Sequence, residues 1–340
     1  MVISFPKKNN LELLRLIFAA QVLLVHASVH LGYTIPEVVR HFPGVPAFFF
    51  VSGFLIYASY LNSPGRRYFE NRFFRLFPGL LFVTIGGAAV AIFARGWSDL
   101  SDNLGIYMVW LLGQVTLAQS YNPQIFREVG VGVINGSLWT ITTEILFYLA
   151  VPVIVWMERQ FRFTVILLLA LSFFIYAIGP QYLTERIFRE KNIYDAVALT
   201  PVVWGWMFAF GILAAKNFER LRSWLKYMPF SIVPMILMAY IGEGAFFASS
   251  GNRLGIVYFA CYVGLLMWLA FATPTFRLTF DLSYGIYIWH MPVINLLLVL
   301  AFPSMWLAIL LTFIVSVCSW AYVEKPALKL KKNSLRPIQS

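Results

Sequence analysis

Residues 11–31 read LELLRLIFAAQVLLVHASVHL, an apolar run with Arg15 and His26 inside it. Its length is that of a helix able to cross a bilayer. Eleven residues of α-helix advance about 16 Å through about three turns. Arg15 and His26 therefore leave one face of the helix, Arg15 near one end and His26 beyond the middle. An ionisable side chain at such a depth is costly and marks a functional role. His26 is read as the titratable base of this helix.

The remainder of the 340 residues extends that reading. A chain that is 60% hydrophobic, 18% aromatic and only 12% charged cannot cover its apolar surface when folded in water. The predicted class is an all-α polytopic integral membrane protein. Lys7 and Lys8 ahead of the first run imitate a signal peptide, but the run is long, carries Arg15 and His26, and meets no small-x-small cleavage site, so it reads as a retained helix. Cys261 and Cys318 lie in apolar runs and read as small hydrophobes. Neither a disulfide nor a metal site is expected. The net charge of +11 is spread between apolar runs, which suits helix orientation and not a nucleic-acid partner.

Eleven apolar runs stand out, at about 11–31, 43–61, 77–95, 104–120, 137–157, 163–180, 194–215, 229–249, 254–273, 282–301 and 304–322. If all eleven crossed, Arg159 and Arg162, with Lys216, Arg220, Arg222 and Lys226, would face outward while Arg66, Arg67, Arg72 and Arg75 faced inward. Treating 104–120 as re-entrant or interfacial restores one sign to one side. Of the 26 Lys and Arg, seven (Arg40, Arg95, Arg127, Arg186, Arg189, Lys191, Arg253) then lie outside, Arg15 lies within the first span, and the other 18 lie inside. The expected topology is ten crossings with both termini cytoplasmic. Residues 1–340 are expected to form one transmembrane domain with a short cytoplasmic tail from about 323 and no appended soluble domain.

Five landmarks follow the first span in order. They are Phe48-Phe49-Phe50-Val51-Ser52-Gly53-Phe54, Arg72-Phe73-Phe74-Arg75-Leu76-Phe77-Pro78, Gly136-Ser137-Leu138-Trp139 with Glu144 and Phe147-Tyr148, Ser283-Tyr284 with Tyr287 and His290, and Glu324-Lys325-Pro326, opened by the Arg15-x10-His26 pair itself. In this order they resemble the membrane-bound acyltransferase-3 family over nearly the whole chain. Many members carry Gly after the first Arg, where this chain has Leu16. The resemblance implies transfer of an acyl group, usually acetyl from acetyl-CoA as co-substrate, to a hydroxyl of a cell-envelope saccharide or glycolipid such as lipopolysaccharide O-antigen or exopolysaccharide. It also implies the bacterial inner membrane as location and lipid as surroundings. With no hydrolase-like domain appended, the chain is expected to complete transfer alone; its oligomeric state stays open.

The residues can be given roles on that basis. A neutral imidazole, with an ordinary pKa of about 6.5, can take a proton from a hydroxyl near neutral pH and return it to a leaving thiolate. Equally, His26 can be acylated itself in a two-step route. Glu144, some seven residues into its run, either orients that imidazole and stabilises the imidazolium or is a structural carboxyl satisfied by hydroxyls. Arg72 and Arg75, three apart, share a face of a cytoplasmic helix, suited to CoA phosphates or to membrane anchoring; Arg66 and Arg67 read as anchors to anionic lipid. Arg15 lies deeper, where a guanidinium can grip a phosphate or the pantetheine arm. Ser283, Tyr287 and His290 share a helical face and are candidates to line a cavity or hold a developing oxyanion, or to glue helices. Trp139 is a stacking candidate for adenine or sugar, or an interfacial aromatic. Intramembrane Arg, His and Glu also suit a proton-coupled transporter, with a broken helix at Gly242 and Gly244, although no inverted repeat is present to support it.

Overall fold

The computed structural model describes residues 3–182 and 197–334. Arg186, Arg189 and Lys191 and the start of the 194–215 run lie outside the described residues. Every regular element among the described residues is helical, as expected where lipid satisfies no backbone group and each segment must bond internally. The helices are α1 (Leu11–Leu31), α2 (Gly44–Asn62), α3 (Arg66–Arg95), α4 (Trp97–Asp102), α5 (Leu104–Val115), α6 (Trp139–Gln160) and α7 (Thr164–Tyr182). Then come α8 (Pro201–Lys216), α9 (Phe218–Arg222), α10 (Ile232–Ile241), α11 (Gly244–Phe247), α12 (Ile256–Phe271), α13 (Ser283–Val299), α14 (Met305–Ser319) and α15 (Lys325–Ser334).

Five described segments are long and apolar enough to cross a membrane, and six shorter apolar helices accompany them. Together they correspond one for one to the eleven runs read from the sequence. The chain is an all-α polytopic membrane protein. The twelve residues of α5 rise only about 18 Å against a hydrocarbon core of about 30 Å. One side of α5 buries Tyr107 and Trp110 among Ala91, Phe126 and Ile134, while Leu104, Met108, Val109 and Leu112 are exposed. Such a segment suits an interface better than a crossing. The run at 229–249 breaks where Gly242 and Glu243 take extended backbone between α10 and α11. Glu243 is exposed, so the break does not enclose it.

Two compact units are resolved. The first takes its described residues from 1–21, 36–65 and 143–279. Its α2 and α8 touch backbone to backbone: a methyl on Gly53 would overlap the Phe208 carbonyl, and one on Gly211 would overlap that of Phe50. Small residues are what permit such an approach in lipid, where packing replaces the hydrophobic drive. Phe147 stacks on Phe208 beside this seam, with centroids 4.0 Å apart. Asn10, just ahead of α1, ties that end down by donating to Leu269 O, Thr273 Oγ1 and Pro274 O and accepting from Phe276 N.

The second unit takes its described residues from 22–35, 66–142 and 280–340. At its centre lies α13, buried along nearly its whole length. Trp289 fits over Gly86 of α3 and meets Phe82 edge-on. Tyr284 donates to Leu76 O at 2.8 Å, and Gly285 lies against Ser316 of α14.

Candidate active site

Proline decides the local structure of α13. Pro292 has no N–H, so the carbonyl four residues earlier, that of Ile288, loses its helical donor. Asn135 supplies the substitute, donating through Nδ2 to Ile288 O at 2.9 Å. Asn295 braces the same stretch: its Nδ2 donates to Val133 O, Ile134 O and Met291 O, and its Oδ1 accepts from Val131 N at 2.8 Å. Gly130, at φ +55°, lies so close to Asn295 that a side chain there would overlap it. The loop before α6 is thereby laced to the middle of α13, and His290 lies between the two asparagine anchors.

His290 is fully buried, and its Nε2 lies 2.8 Å from Nδ1 of His26. His26 is half-buried. His30, one turn further along α1, brings its ring centroid to 6.0 Å from that of His26. His26 is therefore not the sole titratable base of the first helix, and the i, i+4 spacing of the two histidines is a signal the sequence itself carries. Tyr287 presents its ring edge-on to His290 at 5.9 Å, and its hydroxyl is 2.6 Å from Thr140 Oγ1. Ser137, just ahead of α6, and Thr140, in its first turn, thus face Tyr287. Trp139 is half-buried as the first residue of α6.

The shared face of Ser283, Tyr287 and His290 does not deliver three groups to one point. Ser283 donates to Asp281 Oδ1 at 2.7 Å, and Arg75 pairs with Oδ2 of the same carboxylate at 2.8 Å. Serine and arginine, read as oxyanion and donor-phosphate candidates, meet on one carboxylate that spacing did not single out. Arg72 places its guanidinium 5.8 Å from the Tyr68 ring centroid, and Arg66 pairs with Glu70 one turn on at 2.6 Å.

In the first unit, the Glu144 carboxylate accepts from the Tyr148 hydroxyl and, at 3.4 Å, from Ser52. Hydroxyl partners of this kind are what the structural reading of Glu144 requires. Arg15 is half-buried on α1, eleven residues before His26. Among the described residues, no three His, Cys, Asp or Glu side chains are grouped to hold a metal ion.

What spacing left out is the set of fixing residues Asn135, Thr140, Asp281 and Asn295. Asn295 did carry a signal, being a lone amide within an apolar run, the same signal that exposed Arg15. Asp281 and Thr140 carried none for their contacts with Arg75 and Tyr287, which lie more than 140 residues away.

The acyltransferase-domain family called acyltransferase-3 matches residues 8–324. "Nodulation protein 10" of Rhizobium leguminosarum bv. viciae is 30% identical across 97% of this chain and 96% of its own. An "O-acetyl transferase" of Shigella phage Sf6 is 28% identical across 94% of this chain and 96% of its own. No solved structure matches.

Proposed function

The chain belongs to the acyltransferase-3 family, and from that premise we propose that it moves an acetyl group from cytosolic acetyl-CoA to a hydroxyl of a cell-envelope saccharide. The observation that carries this reading is the contact between His26 and the buried His290. It leaves one nitrogen of the half-buried His26 ring for chemistry, on the helix that also holds Arg15.

In the proposed reaction, Nε2 of His26 takes the proton from the acceptor hydroxyl as that oxygen attacks the thioester carbonyl. The C–O bond forms, the C–S bond breaks, and the imidazolium returns the proton to the CoA thiolate. The hydroxyls of Tyr287 and Thr140, mutually bonded in the same unit as His26, are proposed as donors to the carbonyl oxygen as charge develops there. Arg15, about 16 Å from His26 by helical rise, holds the donor's arm or phosphate. Arg72 and Arg75 receive the CoA phosphates, and Asp281 gives up part of its hold on Arg75 when a phosphate arrives. Glu144, held by the Tyr148 and Ser52 hydroxyls, is proposed to aid turnover as well, so that Glu144→Gln lowers kcat more than donor affinity; an unchanged kcat would leave it a structural carboxyl alone.

Ten crossings with both termini in the cytoplasm of a bacterial inner membrane complete the proposal, supported by the basic-residue asymmetry and the short α5. Cysteine labelling that put 158–162 outside and 62–76 inside would sink that topology. The reaction is tested on purified protein in detergent. Acetyl-CoA should raise the melting temperature in a concentration-dependent way and pass its label to a saccharide acceptor. Neither a carrier nor a scaffold predicts such stabilisation, and its absence at saturating acetyl-CoA removes the proposed donor.

A further inference from the structure

The rings of His26 and His290 are inclined by only 11°, with centroids 5.0 Å apart, while Nδ1 of His26 and Nε2 of His290 are 2.8 Å apart. Parallel rings laid face on face would be kept further apart than 2.8 Å by ordinary carbon contact distances. The rings therefore meet edge to edge in nearly one plane, the arrangement of an N–H···N hydrogen bond. One ring must bring the proton and the other the lone pair.

The far side of His290 decides which. Its Nδ1 lies 3.3 Å from the carbonyl oxygen of Ile286, one turn back on α13, and a carbonyl oxygen only accepts. Nδ1 of His290 therefore carries the proton, and Nε2 of that neutral ring carries the lone pair. His26 must donate through Nδ1–H. A neutral His26 is then left with a bare Nε2, the nitrogen a base needs.

We propose that His290 is a positioning residue that fixes the tautomer and plane of the His26 imidazole through the chain from Ile286 O to His290 and from His290 to His26. This deepens the reading of His26 as transfer base and rests on it. Two features make His290 suited to the task. It is fully buried, so water does not compete for either nitrogen, and the asparagine anchors on Ile288 and Met291 hold its stretch of helix around Pro292. Without an acceptor at Nδ1, the His26 ring would divide between tautomers and lose its orientation. When His26 takes the hydroxyl proton, the same bond becomes charge-assisted and strengthens, so His290 favours the imidazolium as well.

The test compares His290→Leu, which offers no acceptor, with His290→Gln, whose amide keeps an acceptor oxygen and a donor nitrogen. On folded, purified proteins, His290→Leu should lose about a hundredfold or more in kcat with acetyl-CoA KM nearly unchanged, and His290→Gln should recover most of it. Wild-type kcat in His290→Leu, or a folded His290→Gln protein as slow as His290→Leu, would overturn the proposal. Wild-type protein gives a reading that needs no variant at position 290 to fold. In ¹⁵N NMR of histidine-labelled protein, the His26 signal, assigned by its loss in His26→Gln, should report a protonated Nδ1 and a bare Nε2; the opposite tautomer overturns the proposal. Retained transfer by His26→Ala would instead overturn the role of His26 as base, a failure distinct from an active His290→Leu protein.

Discussion

The Tyr57–Glu158–Lys216 cluster of the first unit and the His26–His290 pair of the second both bury ionisable side chains among apolar helices, yet they differ in what remains free to react. Glu158, its side chain 9% exposed, accepts from Tyr57 at 2.5 Å on one oxygen and pairs with Lys216 on the other. Its charge is cancelled and both its oxygens are engaged. His26 commits one nitrogen to His290 and keeps the second. Depth in the membrane is therefore an incomplete mark of chemistry. A buried polar group marks a reactive centre when its bonding capacity is only partly satisfied, and a structural clamp when partners use it up.

The largest expected effect divides the two clusters. His26→Ala should lower transfer on the order of 10³-fold or more while the protein stays folded and inserted. Lys216→Ala should leave kcat of the folded protein intact but cost about 3 kcal/mol of stability, because it strands the Glu158 charge; melting in detergent reads this loss. Turnover lost at an unchanged melting temperature in Lys216→Ala would show that the two clusters do not differ in this way.

A smaller effect divides the two polar positions of α1. Arg15→Ala should weaken acetyl-CoA binding by about ten- to a hundredfold, the worth of a charge-assisted hydrogen bond, and Arg15→Lys should recover part, since a point charge does not reproduce a planar fork. His26→Ala should bind the donor almost normally. Titration of both purified variants checks this division, and unchanged donor affinity in Arg15→Ala would reverse the proposed direction in which CoA lies along the helix.

The smallest effect contrasts the membrane clusters with a pair outside the spans. Arg95 grips both oxygens of Asp99, at 2.7 and 2.8 Å, and this hydrogen bonding holds the Asp99 carboxyl below its ordinary value of 3.8. A carboxyl with a lowered folded-state pKa adds stability that is complete above the ordinary value and lost as pH falls through the lowered one. Asp99→Asn should therefore melt below wild type near pH 7, with the gap narrowing as pH drops beneath about 3.8. A gap independent of pH would assign the contact to packing instead of charge.

Much of this was legible because lipid imposes a simple rule. Each span must be an apolar helix, so runs of apolar residues mark the helices one by one, and a polar residue such as His26 inside one stands out. Register and partner choice are not written in that code. Glu144 and Glu158 sit fourteen residues apart on α6, and nothing in their spacing says that Tyr148 and Ser52 take the first while Lys216 and Tyr57 take the second. Lys216 reads as one more cytoplasmic positive charge, and Arg75 as a residue for CoA phosphates or for membrane anchoring, whereas the fold sets Glu158 beside the one and Asp281 beside the other. In each case the partner comes from a distant part of the chain.

The sequence by itself determined the all-helical membrane class, the positions of the apolar segments, the family and the presence of a polar His26 inside the first span, because hydropathy and helical periodicity are local properties. Only the tertiary structure decided that His290 is the ring against His26, that Asn135 replaces the donor Pro292 lacks, and that Ser283 and Arg75 share Asp281. Those are hydrogen-bond pairings between helices, and an unpaired polar group in an apolar interior is costly enough that the fold, not the spacing along any one helix, selects its partner.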